Sequence, residues 1–148
     1  MIDSALTDAA LTDDGVACVC GRLRRTSRAL TRRYDEALAP AGITVGQFSA
    51  LRTLNRLERA SLVELSEALV LEKSALWRNL QPLERQGWVV AASEKGVRGH
   101  RLSLTPTGRE KLAEALPYWR AAQARVAETL GSLEAALISL LAEIETDA

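Results

Sequence analysis

The segment WVVAASEKGVRGHRLSLT, residues 88–105, does most to limit what this chain can fold into. Strand-prone apolar residues stand on both sides of a polar turn rich in glycine and charge. That is the pattern of a β-hairpin with a long tip, in which Gly96 and Gly99 supply the flexible backbone. Two short helical patterns come directly before it. Ser61 opens the first, with the spacing of a capping box to Glu64, and Leu62, Leu65, Leu69 and Leu71 form its inward face. The second runs from Glu72 to Gln86 with Leu76, Leu80 and Leu83 inward, Pro82 inside it and Gly87 as its stop. Two helices joined by a short turn, then a hairpin, make a helix-turn-helix with a wing.

The rest of the chain is helical by pattern. Cys20, Leu23, Ser27, Leu30, Tyr34 and Leu38 follow a 3–4 spacing, in a helix that Asp13 or Asp14 can cap near Gly15 and that Pro40 and Gly42 end. Thr44 caps a second helix with Phe48, Leu51, Leu54 and Leu57 as its stripe. Pro106 opens a helix after the hairpin. Apolar residues then recur through Val126, Leu130, Leu133, Leu137, Leu140 or Leu141, and Ile144, with Gly131 and Ser132 dividing this region in two. The expected class is mainly α with a small β-hairpin wing. Residues 1–13 read as a flexible leader, 14–40 as an N-terminal dimerisation helix, 43–105 as the winged helix-turn-helix lobe and 106–148 as C-terminal dimerisation helices. The apolar stripes of the end helices exceed what a thin flanking layer can bury, and a two-fold homodimer is the commonest closed solution.

Nineteen basic and nineteen acidic side chains cancel, but they are segregated. Residues 15–34 carry six arginines and no acid; residues 106–148 carry seven acids against four bases. Residues 72–101 hold six Lys or Arg and three Glu, so the wing unit is net basic in a neutral chain. No apolar run is long enough for a transmembrane span, and no signal-peptide core is visible, so no membrane partner and a cytoplasmic location are expected.

The basic unit points to double-stranded DNA. In EKSALWRNLQ, residues 72–81, Lys73, Ser74, Ala75, Arg78, Asn79 and Gln81 lie away from Leu76 and Leu80. Arginine pairs with guanine and Asn or Gln with adenine, while Lys and Ser suit phosphates. The hairpin tip adds Lys95, Arg98, His100 and Arg101. No phosphate loop, nucleophile elbow or zinc-protease motif is present, so neither catalysis nor a cofactor or metal is expected. Two other classes stay open. One is a thiol-dependent peroxidase, recognisable by sustained peroxide turnover with a thiol reductant. The other is a winged-helix protein-interaction module with no DNA affinity.

Over residues 16–145 the chain resembles MarR-type winged-helix transcriptional regulators. The resemblance is carried by LTRRYDEALAPAGITVGQFSALRTL, SLVELSEALVLEKSALWRNLQPLERQGWV and VRGHRLSLTPTGRE. Glu72, Lys73, Ser74, Leu76, Arg78, Asn79, Leu80, Pro82, Leu83 and Glu84 match or conservatively replace that family's recognition helix. Arg98 takes the place of its wing arginine, with Gly96 where an Asp usually stands, and Trp77 occupies a position usually given to Thr. The resemblance implies a homodimer reading a palindromic operator, a repressor released by a small effector or by cysteine modification. Members of that family often bind aromatic acids or phenols between the dimerisation helices and the DNA-binding lobe; here Tyr34, Trp119 and several arginines could line such a pocket, and core packing accounts for the two aromatics equally well.

Both cysteines fall in ACVCGRLRR, residues 17–25. Residues two apart on an α-helix point about 200° from each other, so a helix through both would set Cys18 and Cys20 on opposite sides and disfavour a bond between them. Three readings remain: packed small hydrophobes, a thiol sensor, or a soft-metal site shared by two chains. The organic-hydroperoxide-sensing branch of the resembled family keeps a reactive cysteine eight residues before the Arg of a Ser-Arg pair. Cys20 holds that place relative to Ser27 and Arg28. Tyr34 matches that branch's Tyr, fourteen residues after the cysteine, and a second Tyr of its site is replaced by Val45. Cys20, Cys18 and Tyr34 are therefore the candidate sensing residues.

Overall fold

The computed structural model describes residues 18–93, 95, 96 and 98–146. The leader, its Asp13 or Asp14 cap and the helix start near Gly15 lie outside them. Residues 1–31 and 32–148 form two compact units. Helix α1, Val19–Leu38, begins in the first, and its last turns belong to the second.

In the second unit a short 3-10 turn, Ala39–Ala41, ends at Gly42, whose φ of 70° suits a residue without Cβ. Helix α2 spans Val45–Leu57, α3 Leu62–Leu69 and α4 Lys73–Arg85. Strands β1, Val89–Ser93, and β2, His100–Leu104, form the hairpin, and α5 (Pro106–Leu130) and α6 (Glu134–Thr146) complete the chain. This is the expected order.

Local chemistry explains the boundaries. Thr44 and Ser61 each accept from the amide three residues on, while Gln47 and Glu64 reach back to the capping residue's own amide. Each capping box therefore satisfies two orphan donors. Thr105 caps α5 through Gly108 N–H at 3.0 Å and also donates to Gly87 O at 2.6 Å, tying the helix start to the hairpin base. The hairpin is antiparallel, from Val89 opposite Leu104 to Ser93 opposite His100. Ala60 extends it: its N–H donates to Leu102 O at 3.0 Å, and Leu102 N–H returns to Ala60 O at 2.7 Å. The wing is thus anchored to the segment that feeds α3.

The core gathers Leu38, Phe48, Leu51, Leu54, Leu65, Leu76, Leu80 and Leu83, all buried, with Val89, Leu102 and Leu104 from the wing. Leu71, expected inward, is exposed. Val70 ends α3 in the left-handed region at φ 49°, so the helical phase that would carry Leu71 to the core is lost. No residue of α6 is buried, and Leu133, Ile138, Leu140 and Ile144 are each more than half exposed. Among the described residues no helix is long and apolar enough to cross a membrane.

Candidate nucleic-acid interface and thiol pair

Helix α4 owes its position to Leu76, Leu80 and Leu83, which are fully buried and fix its rotation. The 3.6-residue repeat then turns Lys73, Ser74, Arg78, Gln81 and Arg85 outward, and all five are exposed. Ala75 is half-buried on one flank. Asn79 is half-buried too, and its amide lies against Gly46 of α2: a Cβ at Gly46 would stand 3.0 Å from both Asn79 Nδ2 and Oδ1. Asn79 therefore sits where α4 approaches α2. Lys95, Arg98 and His100 are exposed at the hairpin tip, and Gly96 and Gly99 have φ of 84° and 89°.

Arg101 serves differently from its neighbours at the tip. It pairs with Glu64 at 2.5 Å, joining β2 to the capping box of α3. The Ser61 amide, the Ser61 hydroxyl and then Arg101 hold the Glu64 carboxyl below the usual glutamate range. Spacing alone could not show this, because the partners are 37 residues apart. The outward face of α4 and the wing tip are each polar and mainly basic. Both are suited to phosphate neutralisation and to donating hydrogen bonds in a groove.

Tyr34 and Trp119 are both engaged within the chain. Trp119 stacks on Phe48 with centroids 5.5 Å apart, and the Arg52 guanidinium lies 4.6 Å over its ring. The Tyr34 hydroxyl donates to Gln123 Oε1 at 2.6 Å, and Gln123 Nε2 donates to Glu134 Oε1 at 3.0 Å. An open cleft of about 390 Å³ is instead lined by Arg33, Glu36, Ala37, Ala122, Arg125 and Val126.

Cys18 and Cys20 are both free and exposed. The helix does not run through both. Its first residue is Val19, and Cys18 stands in the capping place: its carbonyl accepts from Arg22 N–H at 2.9 Å, and its Sγ accepts from Gly21 N–H at 3.3 Å. The opposition of the two thiols expected from helical geometry therefore does not apply to Cys18. Among the described residues no group of His, Cys, Asp and Glu has the arrangement of a metal site.

The model of the MarR family matches residues 43–90, the span from the end of the 3-10 turn to β1. The organic hydroperoxide resistance transcriptional regulator of Bacillus subtilis is 30% identical over 127 residues, which cover 83% of this chain and 86% of that protein. Among solved structures, the M. tuberculosis transcriptional regulator MosR in complex with DNA has a TM-score of 0.79 and 33% identity, over 88% of this chain and 96% of that one. The transcriptional repressor CouR bound to a 23-mer DNA duplex has a TM-score of 0.78 and 28% identity, over 86% of this chain and 92% of that one.

Proposed function

The chain belongs to the MarR family, and on that premise we propose that it is a homodimeric repressor that reads a palindromic operator. It is a DNA-binding transcriptional regulator with a winged helix. The observation that carries the reading is the outward face of α4. Arg78 and Gln81 stand free over a buried leucine ridge, flanked by the basic wing tip. In this reading α4 enters the major groove, with Arg78 and Gln81 at base edges and Lys73 and Ser74 on phosphates. Ala75 leaves room for close approach, and Asn79 holds α4 at its depth. Lys95, Arg98 and His100 lie along the flanking backbone. The uncovered leucines and isoleucines of α6, together with α1, meet the partner chain. The regulator works in the cytoplasm.

MarR-family proteins are regulators, so neither the peroxidase nor the protein-interaction module is favoured. The test is binding of purified protein to duplexes selected from a random library. We expect an enriched inverted repeat and an affinity that falls steeply with salt. Failure to enrich any sequence would sink the reading.

A thiol supplies the release step in this proposal. Two exposed thiols open α1 among Arg22, Arg24 and Arg25, and the B. subtilis relative is an organic hydroperoxide resistance regulator. The Cys20 thiolate attacks the terminal oxygen of an alkyl hydroperoxide, the O–O bond breaks, a sulfenic acid forms, and the departing alkoxide takes a proton from water and leaves as the alcohol. Operator binding with and without cumene hydroperoxide, for wild type, Cys20→Ser and Cys18→Ser, tests it. Peroxide should release wild type and spare Cys20→Ser. Release by an aromatic carboxylate in wild type and Cys20→Ser alike would favour the Arg33–Arg125 cleft as the effector site.

A further inference from the structure

We propose that Trp77 is a specificity-determining residue, which reads the C5-methyl group of a thymine in the major groove. The proposal rests on the DNA-binding reading above. Trp77 stands one helical turn after Lys73 and one before Gln81 on α4, three residues beyond Ser74 and next to Arg78. It borders the outward face directly. The residue is 43% exposed.

The chain's two other tryptophans are accounted for by packing. Trp119 stacks on Phe48, and Trp88 is half-buried with Lys111 Nζ 4.9 Å over its ring. Among the described residues Trp77 has no ring or cation partner. Trp77 is the most exposed of the three, and it leaves a large part of an apolar ring open on a helix face that is otherwise polar and basic. Single exposed apolar residues are common on protein surfaces. This one sits on the element that enters the groove, where the thymine methyl is the apolar feature a base pair offers. The indole plane is suited to that contact, and removing a methyl from water rewards it.

Replacing thymine by deoxyuracil deletes the methyl group and leaves every hydrogen-bonding group in place. The experiment takes the duplex selected by the wild-type protein and exchanges each thymine pair, symmetrically in the two half-sites, for deoxyuracil. Wild type should lose about fourfold in affinity per half-site at one position. Trp77→Thr should bind the thymine and deoxyuracil duplexes equally there, and Trp77→Phe should keep part of the preference. Quenching of indole emission on adding DNA should be present in wild type and largely gone in Trp77→Phe, in which Trp88 and Trp119 remain. Equal wild-type affinity for thymine and deoxyuracil at every position overturns the proposal while leaving DNA binding intact. So does an undiminished thymine preference in Trp77→Thr. Selection that enriches no sequence overturns the DNA reading itself, a distinct result.

Discussion

Tyr34 donates its hydroxyl to Gln123 Oε1 at 2.6 Å, so the residue placed by sequence at a sensing position is bound within its own chain. Gln123 passes the link to Glu134, joining the end of α1 to α5 and to the start of α6. Burial first, and the Glu134 charge second, push the Tyr34 phenol above the ordinary value of 10.0. The protonated phenol is the form the fold favours. Its contribution is complete below pH 10 and is lost as pH rises through the raised folded value. A spectrophotometric titration of phenolate should show a late transition that Tyr34→Phe removes. Glu134→Gln should move that transition down only part of the way, because burial remains. A full return to the ordinary value would show that burial is not the larger cause. Gln123→Leu should cost about 1 kcal/mol in urea unfolding.

Gly108 and Gly46 predict opposite extremes for the same substitution. A Cβ on Gly108 would stand 2.0 Å from the Trp88 carbonyl oxygen, a backbone atom fixed by the hairpin base. Gly108→Ala must separate α5 from the wing, and it should destabilise by about 2–3 kcal/mol. The atoms nearest a Cβ on Gly46 belong to the Asn79 side-chain amide, at 3.0 Å, a group that can give by rotating where a backbone carbonyl cannot. Gly46→Ala also gains helix propensity of about 1 kcal/mol, so its net effect should be small. Denaturation midpoints of the two variants test the contrast; equal losses would refute it.

These two glycines also show what a linear reading can reach. The capping residues Thr44 and Ser61, the leucines of α4 and the break at Gly131 were legible because each depends on neighbours within a turn or two. The exposed charges of α4 followed from the buried ones by periodicity. Gly108 against Trp88, Asn79 against Gly46 and Arg101 with Glu64 were not legible, since each depends on how distant elements approach. Cys18 lies outside the helix that the spacing predicts through it: the helix starts at Val19, which leaves Cys18 in the capping place. Leu71 was misplaced because the left-handed turn at Val70 resets the phase.

The Glu64 carboxyl ties the α3 capping box, and with it the Arg101 link to the wing, to acid. Glu64 titrates below its ordinary value of 4.5, chiefly through its bond from the Ser61 amide. A carboxyl lowered by folding contributes fully above the ordinary value, and the contribution is lost as pH falls through the lowered one. Urea midpoints of wild type and Glu64→Gln should therefore differ near neutral pH and converge below pH 4.5. Parallel curves across that range would remove the Glu64 carboxylate from the account. Ser61→Ala, which deletes the hydroxyl of the same capping box, should cost about 1 kcal/mol.

Arg78 and Asn79 are adjacent in sequence and should separate cleanly in function. Arg78 is exposed on the face opposite the leucine ridge, so Arg78→Ala should weaken specific DNA binding by about 1–3 kcal/mol and leave thermal stability nearly unchanged. Asn79 is half-buried against Gly46, so Asn79→Ala should lower stability more than it lowers affinity at a temperature where the variant is folded. Arg98, exposed at the wing tip, gives a third signature. Arg98→Ala should weaken binding about equally on operator and random duplex and reduce the slope of log affinity against log salt by about one. Binding isotherms at several salt concentrations on both duplexes distinguish the three. If Arg78→Ala instead lost affinity equally on both duplexes, Arg78 would be a phosphate contact and base reading would fall to Gln81 and Trp77.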